Sequence, residues 1–153
     1  MIRIEKILYP TDFSSFSNQA YFHAVALAET HGASLTIMFV YTPDAARQEE
    51  GDPETNKLYW RKQLEQIHPL DSSIPVEHVF LEGDPASEIV RYAREARINL
   101  IVMGTHGRTG VDRLLMGSVA EKVMRDASCS VLVVKLPRAA ANREREEAKT
   151  AAQ

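Results

Sequence analysis

The chain has 153 residues, 44% of them hydrophobic and 25% charged, with a formal net charge of −3. That length suits one domain burying roughly 70% of its unfolded surface, and the charge gives no electrostatic case for a nucleic acid or an anionic membrane as partner. A single cysteine, Cys129, excludes an internal disulfide and fits a reducing compartment; no apolar run reaches membrane-span length and the amino terminus carries no signal-peptide core, so a cytoplasmic protein is expected.

Residues 2–9 begin in alternation and end apolar, as does a first strand covered on both faces. Pro10-Thr11-Asp12 stops it, and Ser14 or Ser15 is placed to cap the helix that follows. Phe16, Ala20, Ala24 and Leu27 give that helix an apolar face, and Gly32 closes it. Leu35–Val40 reads as the second strand. The acidic stretch from Asp44 to Asn56 is poor in large apolar residues and is expected to be a mobile loop. Trp60, Leu64 and Ile67 then mark a helix over 58–67, ended by Pro69.

Val76–Leu81 is the third strand. Asp84 and Pro85 supply an N-cap and a first helical residue, and Ile89, Val90, Ala93 and Ala96 line the helix. Leu100–Met103 is the fourth strand, Val119, Val123, Met124 and Ala127 mark the fourth helix, and Val131–Val134 is the fifth strand. Alternating strands and helices imply an α/β fold with a parallel sheet and right-handed crossovers. Residues 1–136 form the domain. The segment 137–153, Ala-rich with mixed Arg and Glu, has nothing to bury and is expected to be a frayed helix or disordered.

Between the fourth strand and the fourth helix lies GTHGRTGVDRLLMGS, residues 104–118. Strand, glycine-rich loop and helix is the order of a phosphate-binding turn, in which backbone N–H groups at a helix start face an anion. Gly104, Gly107 and Gly110 alone would serve equally well to shape a turn. Gly117-Ser118 adds a second small pair at the helix entry, where Ser118 can cap the helix or offer its hydroxyl to a phosphate. The stretch is neither a Walker A loop nor a dinucleotide-binding G-x-G-x-x-G.

Gly104, two residues, Gly107, nine residues, Gly117-Ser118 resembles the nucleotide-binding signature of the universal stress protein family, complete in spacing and residue type. The similarity runs from Ile4 to Lys135. The resemblance implies a five-stranded parallel sheet of order 3-2-1-4-5 with helices on both faces, Rossmann-like, and binding of ATP with Mg²⁺ carried in by the phosphates. The implied contacts are Pro10, Thr11, Asp12 and Val40, then Met103, Gly104, Thr105, His106, Gly107 and Arg108, and finally Gly117, Ser118 and Val119. Asp12 has a plain reading as a helix-entry turn residue and a functional one as a carboxylate for ribose hydroxyls or a phosphate-held metal; the family places its Asp at the nucleotide. At Val40 the family uses the backbone, which bonds adenine. Arg108 is suited to a charge-assisted phosphate contact. Gly83 and Pro85 match the family's turn into the third helix, whereas Ser130 stands where the family commonly has proline.

The family pairs chains through its last strand, so a homodimer through residues 131–135 is expected from an apolar edge. No catalytic-base motif accompanies the glycines, which favours a nucleotide-dependent stress or regulatory module with little or no hydrolysis. A slow ATPase or nucleotidyl-transfer enzyme on the same scaffold is the alternative, since fold does not decide function.

Overall fold

The computed structural model describes residues 1–46, 49–105, 116–135 and 146–152. Five strands, β1 (Lys6–Pro10), β2 (Ser34–Tyr41), β3 (Val76–Glu82), β4 (Leu100–Gly104) and β5 (Ser130–Val134), form one parallel sheet of order β3-β2-β1-β4-β5. Helices α1 (Ser15–His31) and α3 (Pro53–Glu65) pack on one face, and α4 (Pro85–Glu95) and α5 (Ser118–Asp126) on the other. A single turn, α2 (Pro43–Ala46), follows β2. The strands alternate between the two cores: Ile7 and Tyr9 join the first, Leu8 the second. Among the described residues no helix is long and apolar enough to cross a membrane.

α1 is capped by Ser14, whose side chain accepts from the Ser17 N–H at 3.3 Å, and closed by Gly32 in the left-handed region at φ 63°. Its buried face is Ser17, Ala20, Ala24 and Ala28, all small. The expected face of Phe16, Ala20, Ala24 and Leu27 is thus rotated slightly. The helix lies so close to the sheet that only small side chains fit beneath it, and Phe16 and Leu27 are half-buried at its margins.

The expected loop over 44–56 is corrected. It holds α2, and α3 begins at Pro53 rather than near Leu58. Asp52 caps α3, its Oδ2 accepting from the Thr55 N–H at 3.1 Å, with Pro53 in the first turn. Only Leu64 of α3 is fully buried, with Trp60 and Ile67 packed against the same core. In the tail, residues 146–151 are helical, and the parts of that expectation falling on 137–145 and 153 lie outside the described residues.

Pairing fails locally at the end of β1, and this opens the sheet. The Lys6 carbonyl accepts from Asn99 at 3.0 Å, so even-numbered residues of β1 face β4. Beyond Leu8 the next even donor would be Pro10, which has no N–H. Pairing of β1 with β4 is confined to Ile7↔Leu100 and Leu8↔Ile101. On the β2 side, the Thr11 N–H reaches the Met38 carbonyl at 2.8 Å. The following donor in that ladder, the Phe13 N–H, turns instead to Thr11 Oγ1 at 3.0 Å, with Phe13 itself at φ 63°. Val40 shares the orientation of Met38, so its N–H and C=O face the gap left by β1.

Candidate functional site

At the carboxyl ends of β1, β2 and β4 lies a cavity of about 280 Å³. Pro10, Thr11 and Asp12 come from the end of β1, residues 39–42 from the end of β2, and residues 103–105 from the end of β4. Residues 117–120 enter from α5, with Glu49 and Trp60 on one wall and Pro85 and Ile89 on the other. The crevice between β1 and β4, where the strand order reverses, is the position at which open parallel sheets take ligands. The fold therefore gathers Pro10, Thr11, Asp12, Val40, Met103, Gly104, Thr105, Gly117, Ser118 and Val119 around one space. His106, Gly107 and Arg108 lie outside the described residues.

α5 supplies the electropositive end. Its N-cap is Gly117, at φ −59° and ψ 152°, and no side chain caps the helix. The expectation that Ser118 caps is corrected: Ser118 is the first helical residue and is exposed. The first intrahelical bond runs from the Glu121 N–H to the Gly117 carbonyl at 3.0 Å. The N–H groups of Ser118, Val119 and Ala120 thus precede the helix's own ladder, and all three residues line the cavity. Such a terminus is suited to an anion.

The polar groups at the β1 end mostly build the wall. Thr11 is buried, its hydroxyl 3.1 Å from Ser17 Oγ and accepting from Phe13 N–H. Tyr9 donates to the Ser17 carbonyl at 2.8 Å, and burial holds its phenol above the usual range, so it stays a neutral donor. Asp12 Oδ1 accepts from the Ser14 N–H at 2.9 Å. It is a helix-entry turn residue and a cavity residue at once.

Gly104 and Gly117 serve different ends, neither needing a positive φ. A Cβ on Gly104 would meet the Phe16 carbonyl oxygen at 2.6 Å and its carbon at 2.9 Å. Gly104 is where β4 touches the backbone of α1, a packing requirement at a residue that also lines the cavity. The Gly117 N–H donates to the Thr105 carbonyl at 2.6 Å, and the Thr105 N–H to the Val134 carbonyl at 3.2 Å. Those bonds tie the α5 entry to β4 and β5. Gly83 at φ 147° does need glycine, and its N–H holds the Tyr41 carbonyl at 3.0 Å. Asp84 caps α4 through Ser87, and Lys122 of α5 reaches Ser87 Oγ at 3.0 Å.

Sequence reasoning missed the wall of Phe39, Tyr41, Glu49 and Trp60. The Trp60 indole N–H donates to both carboxylate oxygens of Glu49, at 3.2 and 3.3 Å. Its ring stacks on Phe13 with centroids 5.1 Å apart. Tyr41 is 3% exposed and its hydroxyl is buried with no partner among the described residues. The one available signal was Trp60, the chain's single tryptophan, on α3. Cys129 is half-buried and burial pushes its thiol up, which suits packing beside β5.

A family model for the universal stress protein family matches residues 3–135. Universal stress protein MJ0531 of Methanocaldococcus jannaschii is 37% identical over 142 residues, 88% of this chain and 84% of that one. The solved structure of MJ0577 from the same organism, a protein whose biochemical function was assigned from its structure, superposes with a TM-score of 0.72 at 30% identity, covering 90% of this chain and 99% of that one. A universal stress protein solved in complex with cAMP superposes with a TM-score of 0.67 at 22% identity, covering 88% and 99%, and at that identity the likeness concerns the fold alone.

Proposed function

The chain belongs to the universal stress protein family, and from that premise we propose that it is an ATP-binding regulatory module with little or no intrinsic hydrolysis. The observation that carries the reading is the union, in one cavity, of three first-turn N–H groups of α5, the Asp12 carboxylate and the open backbone of Val40. Strand order sets their sequence across the crevice. Phosphates take the α5 entry beside β4, ribose takes Asp12 at β1, and adenine takes the N–H and C=O of Val40 at β2. Apolar side chains such as Ile89 and Met103 flank the base. The family signature further assigns His106, Gly107 and Arg108, which lie outside the described residues, to the phosphates.

Mg²⁺ arrives with the triphosphate, held mainly by phosphate and water oxygens, with Asp12 a cavity carboxylate suited to that role. Among the described residues no group of three or more His, Cys, Asp or Glu could hold a metal by itself. The protein works in the cytoplasm as a homodimer joined through residues 131–135, where Leu132 presents an exposed apolar side chain on the β5 edge. Sedimentation showing only the monomer mass would remove that last part.

The test is calorimetry of ATP with wild type and Gly117→Asp. Aspartate is a better N-cap than glycine by a few tenths of a kcal/mol, and the Gly117 backbone is one any residue adopts. The variant therefore keeps its thermal stability while its carboxylate takes the N–H groups that phosphate needs and repels the anion. Wild type binds at micromolar to sub-millimolar strength and the variant does not. Equal binding by the two would defeat the assignment, and turnover near about 10 s⁻¹ would make the protein an enzyme instead.

A further inference from the structure

The cavity extends past Val40 to a polar end that the reading above does not use. Glu49 stands there, half-buried, in the segment between α2 and α3. Its two oxygens share the Trp60 indole N–H at 3.2 and 3.3 Å. Trp60 is itself fixed, stacked on Phe13 and packed against Phe39 with centroids 5.7 Å apart. Glu49 is thus a placed carboxylate on a largely apolar wall. Tyr41 lines the same end, with a buried hydroxyl that has no partner among the described residues.

This inference rests on ATP occupying the cavity in the order given above, which puts the base beside Glu49. Val40 offers one donor and one acceptor. Adenine satisfies them with N1 and its 6-amino group. A 6-oxopurine satisfies them almost as well by sliding, with N1–H to the carbonyl and O6 to the N–H. The backbone alone therefore discriminates weakly. An ionised carboxylate only accepts. Against a 6-amino group it gains a charge-assisted bond through the second amine hydrogen; against a 6-oxo group it sets lone pair against lone pair. We propose that Glu49, held by Trp60, selects 6-aminopurine over 6-oxopurine nucleotides in this cavity.

The experiment titrates ATP and inosine triphosphate, which differ at position 6, into wild type and Glu49→Gln. Trp60 is the chain's single tryptophan and lies on the cavity wall, so its fluorescence reads occupancy directly. Wild type is expected to prefer ATP by about tenfold or more, the scale of one hydrogen bond to a charged group. In Glu49→Gln the amide accepts from Trp60 as before and can donate to O6, so the preference falls to within about threefold. A carboxylate with a purely structural role would weaken both ligands equally and leave their ratio intact. Wild type binding both triphosphates equally, or Glu49→Gln keeping the wild-type ratio, overturns the selection while leaving the ATP site standing. Wild type binding neither overturns the ATP reading and this inference with it.

Discussion

Gly104→Ala tests how the glycine motif divides its labour. The added methyl would lie 2.6 Å from the Phe16 carbonyl oxygen and 2.9 Å from its carbon, where ordinary contact begins near 3.4 Å. Both atoms are backbone in the first turn of α1, so no rotamer change relieves the clash. Either β4 or α1 must shift, and each is packed over buried residues such as Ala20 and Val102. Overpacking of this kind costs about 1–3 kcal/mol, and a rigid backbone contact belongs at the upper end, about 2–3 kcal/mol. For a chain of this size that lowers Tm by about 5–10 °C. Urea denaturation followed by circular dichroism would show a lower midpoint with an unchanged slope. Gly117→Ala is the control: the φ of −59° and ψ of 152° there suit any residue, and the poorer N-cap of alanine is offset by a less flexible unfolded chain, so its Tm should stay within about 2 °C. If Gly104→Ala were as stable as Gly117→Ala, the close approach of β4 to α1 would be wrong.

Two further substitutions test local features. Arg97 is exposed and follows α4 at φ 57°, with the Ile98 N–H closing on the Ala93 carbonyl at 2.9 Å. A helix end of this form favours glycine. Arg97→Gly removes a left-handed penalty of about 1–2 kcal/mol and adds back about 0.5–1 kcal/mol of chain entropy, so thermal denaturation should show a net gain of about 0.5 kcal/mol. Asp84→Ala removes the cap of α4 and should cost about 1 kcal/mol at neutral pH. The bonds from Ser87, side chain first and then backbone, with Lys122 adding a little, hold the Asp84 carboxyl below its usual range. A carboxyl lowered on folding stabilises above its unfolded value, about 3.9, and loses that contribution as pH falls through the folded value. The stability difference between wild type and Asp84→Ala should therefore vanish in acid; a difference unchanged at pH 2 would contradict the capping role.

The fold was legible because a parallel sheet writes itself as short apolar runs separated by amphipathic helices, and each strand emerges within a residue or two of its reading except at Ile2–Glu5. The start of α3 was equally available. Asp52-Pro53 is the same cap-and-proline pair as Asp84-Pro85, but the acidic composition around it favoured a loop. The site was legible where one local segment encodes it, as in Asp12 at the end of β1 and Gly117 at the entry of α5. It was illegible where distant segments meet. That Gly104 must be glycine depends on Phe16 of α1, and the Glu49–Trp60 pair depends on how the chain crosses from β2 to α3. Hydrophobic periodicity carries neither fact.

The cavity exists because the sheet stops pairing in one place; two residues arrange this by removing or diverting donors, and a third leaves the facing helix entry open. Pro10 has no N–H to extend β1 along β4. Phe13, at a φ that an L-residue adopts at some cost, spends its N–H on Thr11 rather than on Val40. Gly117 caps α5 without a side chain, leaving the first-turn donors to whatever enters. The first two are local losses of hydrogen bonding that a buried sheet would otherwise forbid. The strain at Phe13 is offset by its ring, which packs against Phe39 at 5.0 Å and Trp60 at 5.1 Å between centroids. The aromatic cluster thus fixes the turn that keeps Val40 open and, through the same indole, the carboxylate at the far wall. The proposed recognition of the base at Val40 and Glu49 is therefore coupled to the stability of the β1–α1 turn through Trp60.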